Sequence, residues 1–202
     1  MSEPAEAKGA ALAPEDEARA GFYGLIARLF YAHPDQQLLG QLVHIQAFEG
    51  QDGPLAAAWR NLVAACGSAF PVMLENEHTQ LFIGTGRSLI TPYLSHYTPL
   101  VAKERHLVDL RGQLIAWGIA RKERAHEPED HVAGVFEAMR IAIAVQQRSA
   151  EEQKAFFDRF LYAPALEFCN AVTASEKAVF YRLVAEFTRQ FLAIERAAFE
   201  ML

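Results

Sequence analysis

The sequence predicts an all-α fold, a single globular helical domain of about nine or ten helices, and three observations lead there. Apolar residues recur at i, i+3, i+4 and i+7 in one segment after another, the spacing that gathers them on one side of a helix. Nowhere do β-branched residues alternate with polar ones over more than a few positions, so no strand is required. Prolines and glycines mark the ends of the periodic segments, and no repeat period that would signal a solenoid is present.

Composition narrows the function classes. A chain of 202 residues can bury a sizeable core, and its formal charge of −6, without a basic stripe, argues against a nucleic-acid partner. Cys66 and Cys169 are the only cysteines and each lies in an apolar helical context, so two buried thiols are expected rather than a disulfide or a thiolate metal site. The N-terminus lacks a basic stretch followed by an apolar one, so it does not read as a secretory signal. No run of about 18 apolar residues is present to span a membrane. A soluble, cytoplasmic protein is expected.

Residues 1–14 are rich in Ala, Glu and Pro without periodicity and read as a mobile tail ahead of a domain at 15–202. A helix begins near Asp16, with Phe22, Leu25, Ile26, Leu29 and Phe30 on one face. His33-Pro34-Asp35 ends it, and Asp35 can cap the next, where Leu38, Leu39, Leu42, Val43 and Ile45 repeat the pattern. Gly50 to Pro54 is a turn. Leu55 to about Phe70 carries Trp59, Leu62, Val63 and Cys66, and Pro71 opens a fourth helix through about Phe82. Residues 99–119 are helical again, with Leu100, Leu107, Leu110, Leu114 and Trp117 facing inward. The charged stretch 118–127 has weak patterning and reads as a connector, placing a hinge near 118–128 between lobes of about 15–118 and 128–202. Such a hinge suits a monomer or a domain-swapped dimer.

Pro128 is expected to open the next helix, with Glu127, Glu129 and Asp130 in its first turn and Val132, Val135, Phe136, Met139 and Ile143 buried. Ser149 to Glu152 restarts a short helix with Phe156, Phe157 and Phe160, which Pro164 should break. Leu166, Phe168, Cys169 and Val172 follow. Thr173 and Glu176 have capping-box spacing ahead of a last helix carrying Phe180, Leu183, Val184, Phe187, Phe191 and Ile194.

The stretch from Glu77 to Tyr97 departs from this regular scheme. A helix end with Leu81, Phe82 and Ile83 meets Gly84 and Gly86, then a proline-punctuated loop with Pro92, Tyr93, Ser95 and Tyr97. A connection this long and aromatic in a helical chain is more often functional than idle. Tyrosines serve equally to cover a core or to bind, so pattern alone leaves both readings open. Catalytic readings are weaker. Glu75-x-x-His78 has the spacing of di-iron carboxylate bundles but occurs once, and a helical metal-dependent enzyme using Glu75, His78 and Glu127 stands as the alternative function. Ser95 and His96 are adjacent and point apart, and Gly84-Thr85-Gly86 lacks the rest of a phosphate loop.

Taken together, Glu77-x-x-x-Leu81-Phe82-x-Gly84-x-Gly86 with Pro92-Tyr93-x-Ser95-x-Tyr97, then Glu127-Pro128-x-Asp130-His131-x-Ala133, then Phe180-Tyr181 running into Phe191-Leu192-x-x-Glu195, resemble the TorD/DmsD-like redox-enzyme maturation chaperones, relatives of the NarJ type. The three blocks lie in order across about residues 18–196. The resemblance implies an all-helical cytoplasmic chaperone with no catalytic chemistry, no metal and no cofactor. It would bind the twin-arginine leader or the apo form of a molybdopterin-containing oxidoreductase, hold it for cofactor insertion and prevent premature export. It assigns leader binding to Leu81, Phe82, Gly84, Gly86, Pro92, Tyr93, Ser95, Tyr97, Glu127, Pro128, Asp130 and His131. The chain departs from the family pattern at Thr85, at Leu94, and at Tyr162-Ala163-Pro164-Ala165.

Overall fold

The computed structural model describes residues 11–45, 47–48, 50–84, 88–99, 103–120 and 127–202. Helix α1, Pro14–Tyr31, starts on a proline with Glu15, Asp16 and Glu17 beside its unpaired N–H groups, where fixed φ and negative charge both favour a helix start. Helix α2, Gln36–His44, is capped by Asp35, whose Oδ1 accepts the Leu38 N–H at 2.8 Å. Prolines also open α3, Pro54–Ser68, and α4, Pro71–His78. The α4 helix widens into a π-turn, Thr79–Ile83, and the chain leaves it through Gly84 at φ 65°, a left-handed conformation that favours glycine. A short 3-10 turn, Leu94–Tyr97, precedes α5, Lys103–Ala116, and α6, Val132–Ala144. Helix α7, Ala150–Phe156, passes through a second π-turn, Phe157–Leu161, into α8, Tyr162–Ala174, and α9, Phe180–Glu200, is the longest. With α7 and α8 taken as one rod, the described residues form eight helices and no strand, slightly fewer helices than expected.

A single apolar core joins these elements. Helix α1 lies against α6 and α9: the Tyr23 ring meets Phe136 at 5.9 Å and Phe191 at 4.9 Å. At Gly24 of α1 a Cβ would sit 2.8 Å from Cδ of Arg140 on α6, so a larger residue there would require that flexible side chain to shift. On the other side, Trp59 of α3 packs on Phe187 of α9 at 5.3 Å. Helices from before and after 118–128 therefore share one core. Residues 121–126 of that connector, and the first ten residues of the expected tail, lie outside the described residues. Among the described residues no helix is long and apolar enough to cross a membrane.

Three local expectations are corrected. Pro128 does not start a helix: Pro128 O accepts the His131 N–H at 3.1 Å in a turn, and α6 begins at Val132. Pro164 does not break the chain's helical course, because the carbonyl four residues back, on Phe160, lies in the widened π-turn. Thr173 and Glu176 form no capping box. Thr173 stays in α8, with its hydroxyl donating to Asn170 O at 3.0 Å, and the start of α9 is capped from elsewhere.

Candidate functional site

Two segments distant in sequence meet at Tyr93 and His131 as an isolated antiparallel bridge. Val132 N–H donates to Pro92 O and Leu94 N–H to Asp130 O, both at 2.8 Å. This pairing keeps residues 128–131 out of helical geometry. His131 then becomes the N-cap of α6, its Nδ1 accepting the Ala133 N–H at 3.2 Å. Asp130 is buried, and its Oδ2 faces the Ser95 N–H at 3.3 Å. Behind the bridge, Ile90 N–H donates to Leu81 O at 2.8 Å and fastens the loop to the π-turn. On its outer side Arg111 of α5 grips Glu129 with two bonds of 2.9 and 3.2 Å.

A cavity of about 390 Å³ opens in front of this bridge. Phe30 and Tyr31 come from the end of α1, His78 from α4, Phe82 and Ile83 from the π-turn, and Pro92, Tyr93, Glu127 and His131 from the paired segments. The Tyr93 hydroxyl donates to Glu127 Oε2 at 2.6 Å. That bond, helped by burial, pushes the Tyr93 hydroxyl up to about 12. Both histidines titrate below the usual imidazole range. Burial is the main cause at His131, with His78 adding to it, and it outweighs the opposing pull of Glu127 and Asp130. At His78 burial again leads, against the Phe30 carbonyl that lies 3.4 Å from Nε2. The cavity is thus aromatic, holds a carboxylate, and is lined by two imidazoles kept uncharged at neutral pH.

The structure sorts the residues singled out in the sequence. Phe82, Pro92, Tyr93, Glu127 and His131 come together around the cavity. Leu81 is wholly buried in the core, and Ser95 is buried with its backbone on Asp130. Tyr97 faces inward, its hydroxyl on Thr91 O at 2.9 Å and its ring 5.9 Å from Phe168. Gly84 ends the π-turn, Pro128 is exposed in the turn before α6, and Gly86 lies outside the described residues. Ile83 lies within the stretch singled out in the sequence, whereas Phe30 and Tyr31 were not anticipated at the site; Tyr31, an aromatic at the end of a periodic helix and off its apolar face, was the available signal, and it is 57% exposed.

Other acidic residues of the motif blocks are committed to the fold. Glu77 accepts the N–H groups of Val179, Phe180 and Tyr181 at 2.8, 3.2 and 2.9 Å, and so caps α9 across more than a hundred residues. Glu195, 2% exposed, takes two bonds from Arg19 and one from the Tyr23 hydroxyl. Glu75 points to solvent, while His78 faces the Phe30 carbonyl. Among the described residues no three His, Cys, Asp or Glu side chains converge as metal donors. Both cysteines are buried and unbridged, and burial pushes the Cys66 thiol up to about 11.

A second concavity of about 710 Å³ lies between the end of α3, α4 and the start of α9, with Phe70, Met73, Val179 and Leu183 on its walls. It is the more apolar of the two, but the residues of the motif blocks gather at the first.

No curated protein matches the chain. The family model described as nitrate reductase delta subunit matches residues 49–170, more than half of the chain, and spans the π-turn, the tyrosine loop and the Asp130-His131 turn that build the cavity. The chain belongs to the nitrate reductase delta subunit family, a family of molybdoenzyme maturation chaperones.

Proposed function

We propose that this protein binds the twin-arginine leader of a molybdopterin-containing oxidoreductase at the surface around the Tyr93–His131 bridge. It holds the apoprotein in the cytoplasm until the cofactor is inserted, and it carries no catalytic chemistry of its own. The observation that supports this most is the cavity itself. A carboxylate, two tyrosines and two buried imidazoles converge on a site with Ile83, 61% exposed, at its rim. Leu89, 59% exposed, lies on the same glycine-to-tyrosine stretch. A leader joins cationic side chains to an apolar helical segment, and recognition of such a segment requires a charge partner beside apolar surface. Glu127 offers the charge partner. Asp130, turned onto Ser95, acts by holding the wall in place.

Calorimetric titration with a synthetic leader peptide, alongside leaderless apoenzyme, tests this reading. Binding of the peptide alone supports it, whereas binding confined to the leaderless enzyme assigns the protein to the client's body instead. Elemental analysis of protein purified without chelator addresses the enzyme alternative: stoichiometric iron, manganese or zinc would favour it.

A further inference from the structure

Two imidazoles line the 390 Å³ cavity, and the fold assigns the proton on each. His131 Nδ1 accepts the Ala133 N–H at 3.2 Å, so Nδ1 carries the lone pair and the proton of the neutral ring sits on Nε2. His78 Nε2 lies 3.4 Å from Phe30 O; a carbonyl only accepts, so Nε2 carries the proton there as well and Nδ1 keeps the lone pair. What remains is a donor on His131 and an acceptor on His78, each on a ring more than nine-tenths buried, at 7% and 5% exposed. Neither nitrogen has a hydrogen-bond partner among the described residues. Nor is either sealed off, for the side-chain atoms buried without a partner there are His33 Nδ1 and His106 Nε2. Buried polar groups seldom stay unmatched, since an unpaired one gives up its hydration for nothing. Burial keeps both rings uncharged at neutral pH, so the two nitrogens suit a neutral group. They do not suit a metal ion, because His131 Nε2 holds its proton and has no lone pair to give.

We infer that the cavity recognises neutral amide groups of the bound leader: a C=O accepts from His131 Nε2–H and an N–H donates to His78 Nδ1. This rests on the leader reading above and makes it specific. An extended residue turns its own N–H and C=O to the same side, so one residue of main chain supplies both groups. A residue inside a helix has both spent on bonds within the helix, so the main chain bound here lies outside the leader's helical segment. The side chain of Asn or Gln offers the same two groups. Rings of Tyr31 and Tyr93, with centroids 6.4 and 5.7 Å from that of His131, lower the polarity around these bonds, which strengthens them.

N-methylation, which removes one main-chain N–H at a time, provides the test. The full chain is titrated calorimetrically with a leader peptide and with versions N-methylated at single residues outside the helical segment, or carrying Ala in place of each Asn or Gln. One of these changes is expected to lower affinity at least about fivefold in the unaltered chain and less than about twofold in His78→Phe, which has no acceptor. A sensitive N-methyl position identifies main chain, and a sensitive Ala position a side chain. His131→Asn keeps an oxygen to cap the Ala133 N–H but withdraws the ring donor, so the parent peptide should bind severalfold more weakly while the unfolding midpoint hardly moves. Two-bond proton–nitrogen NMR spectra of the unaltered chain read the tautomers directly. Both rings should show the proton on Nε2, and the His78 Nδ1 signal should shift upfield on saturation with the parent peptide. A proton on Nδ1 of either ring, or the lack of any change whose effect disappears in His78→Phe, overturns the amide site while leaving leader binding intact. If His78→Phe does not fold, an unmoved His78 Nδ1 signal overturns it alone. No binding of the parent peptide to the unaltered chain overturns the leader reading, and the amide site with it.

Discussion

Near the end of α9, Glu195 accepts the Tyr23 hydroxyl at 2.9 Å; at the cavity, Glu127 accepts the Tyr93 hydroxyl at 2.6 Å. The two pairs use the same chemistry in different surroundings. Glu195 also takes both a 2.8 and a 2.9 Å bond from Arg19, which reaches on to Asp16 and Gln153, and the buried Glu195 ties α9 to α1 and α7 through this cluster. Its charge is spent on joining helices. Glu127 sits where the walls are aromatic and the middle is hollow. The difference teaches that an acidic residue within a motif block carries no functional label by itself. Glu77 and Glu195 hold the fold, Asp130 holds a loop, and Glu127 faces a cavity.

Replacing Glu195 should have the largest effect. Glu195→Ala leaves the Tyr23 hydroxyl and the Arg19 guanidinium without their buried partner, and a loss of about 3 kcal/mol in urea unfolding is expected. A loss under about 1 kcal/mol would mean that the cluster is far better solvated than its burial implies. Glu77→Ala comes next, at about 1–2 kcal/mol, because three N–H groups at the start of α9 lose their acceptor. Its mark should be faster amide exchange confined to the first turn of α9.

Acid should act on the cavity side. Burial lowers the titration of His78 and His131 from the ordinary 6.5 in the folded chain, so the unfolded chain takes up protons first as pH falls. Their neutral forms contribute stability that is complete above about pH 6.5 and is lost as pH drops below it. Thermal unfolding across that range should show a falling midpoint, and His78→Gln should flatten the slope; an unchanged slope would exclude His78 as a contributor. His106 shifts downward as well, again chiefly by burial, and leaves part of the slope in place. The smallest effect on stability belongs to Glu127→Gln. The amide oxygen still accepts the Tyr93 hydroxyl, so the unfolding free energy should change far less than in Glu195→Ala while leader affinity falls.

Much of the fold was legible because helical periodicity is a local signal. Val132, Val135, Phe136, Met139 and Ile143 are all buried, as their spacing requires, and Asp35 caps α2 as its position suggests. What escaped depends on partners far away in sequence. Pro128 has every local mark of a helix start, yet the Pro92–Leu94 strand-like pairing with Asp130–Val132 overrides it. The cap of α9 comes from Glu77, which no window around Thr173 contains. Pro164 looks like a stop because a π-turn has no sequence signature of its own. The site was legible as a set of segments, since the loop and the Asp-His turn do meet. It was not legible as a set of surfaces: Leu81 and Ser95 belong to the same blocks as Tyr93 and Glu127 but face the core.

The two concavities offer the most direct test of where the leader goes. Backbone amide shifts of the isotope-labelled chain, followed by NMR during titration with leader peptide, would map the contact. Binding at the bridge predicts saturating shifts at Phe82, Ile83, Tyr93, Glu127 and His131, with little change at Met73, Val179 and Leu183. Shifts centred on the α3–α4–α9 groove, with Tyr93 and His131 unmoved, would contradict it.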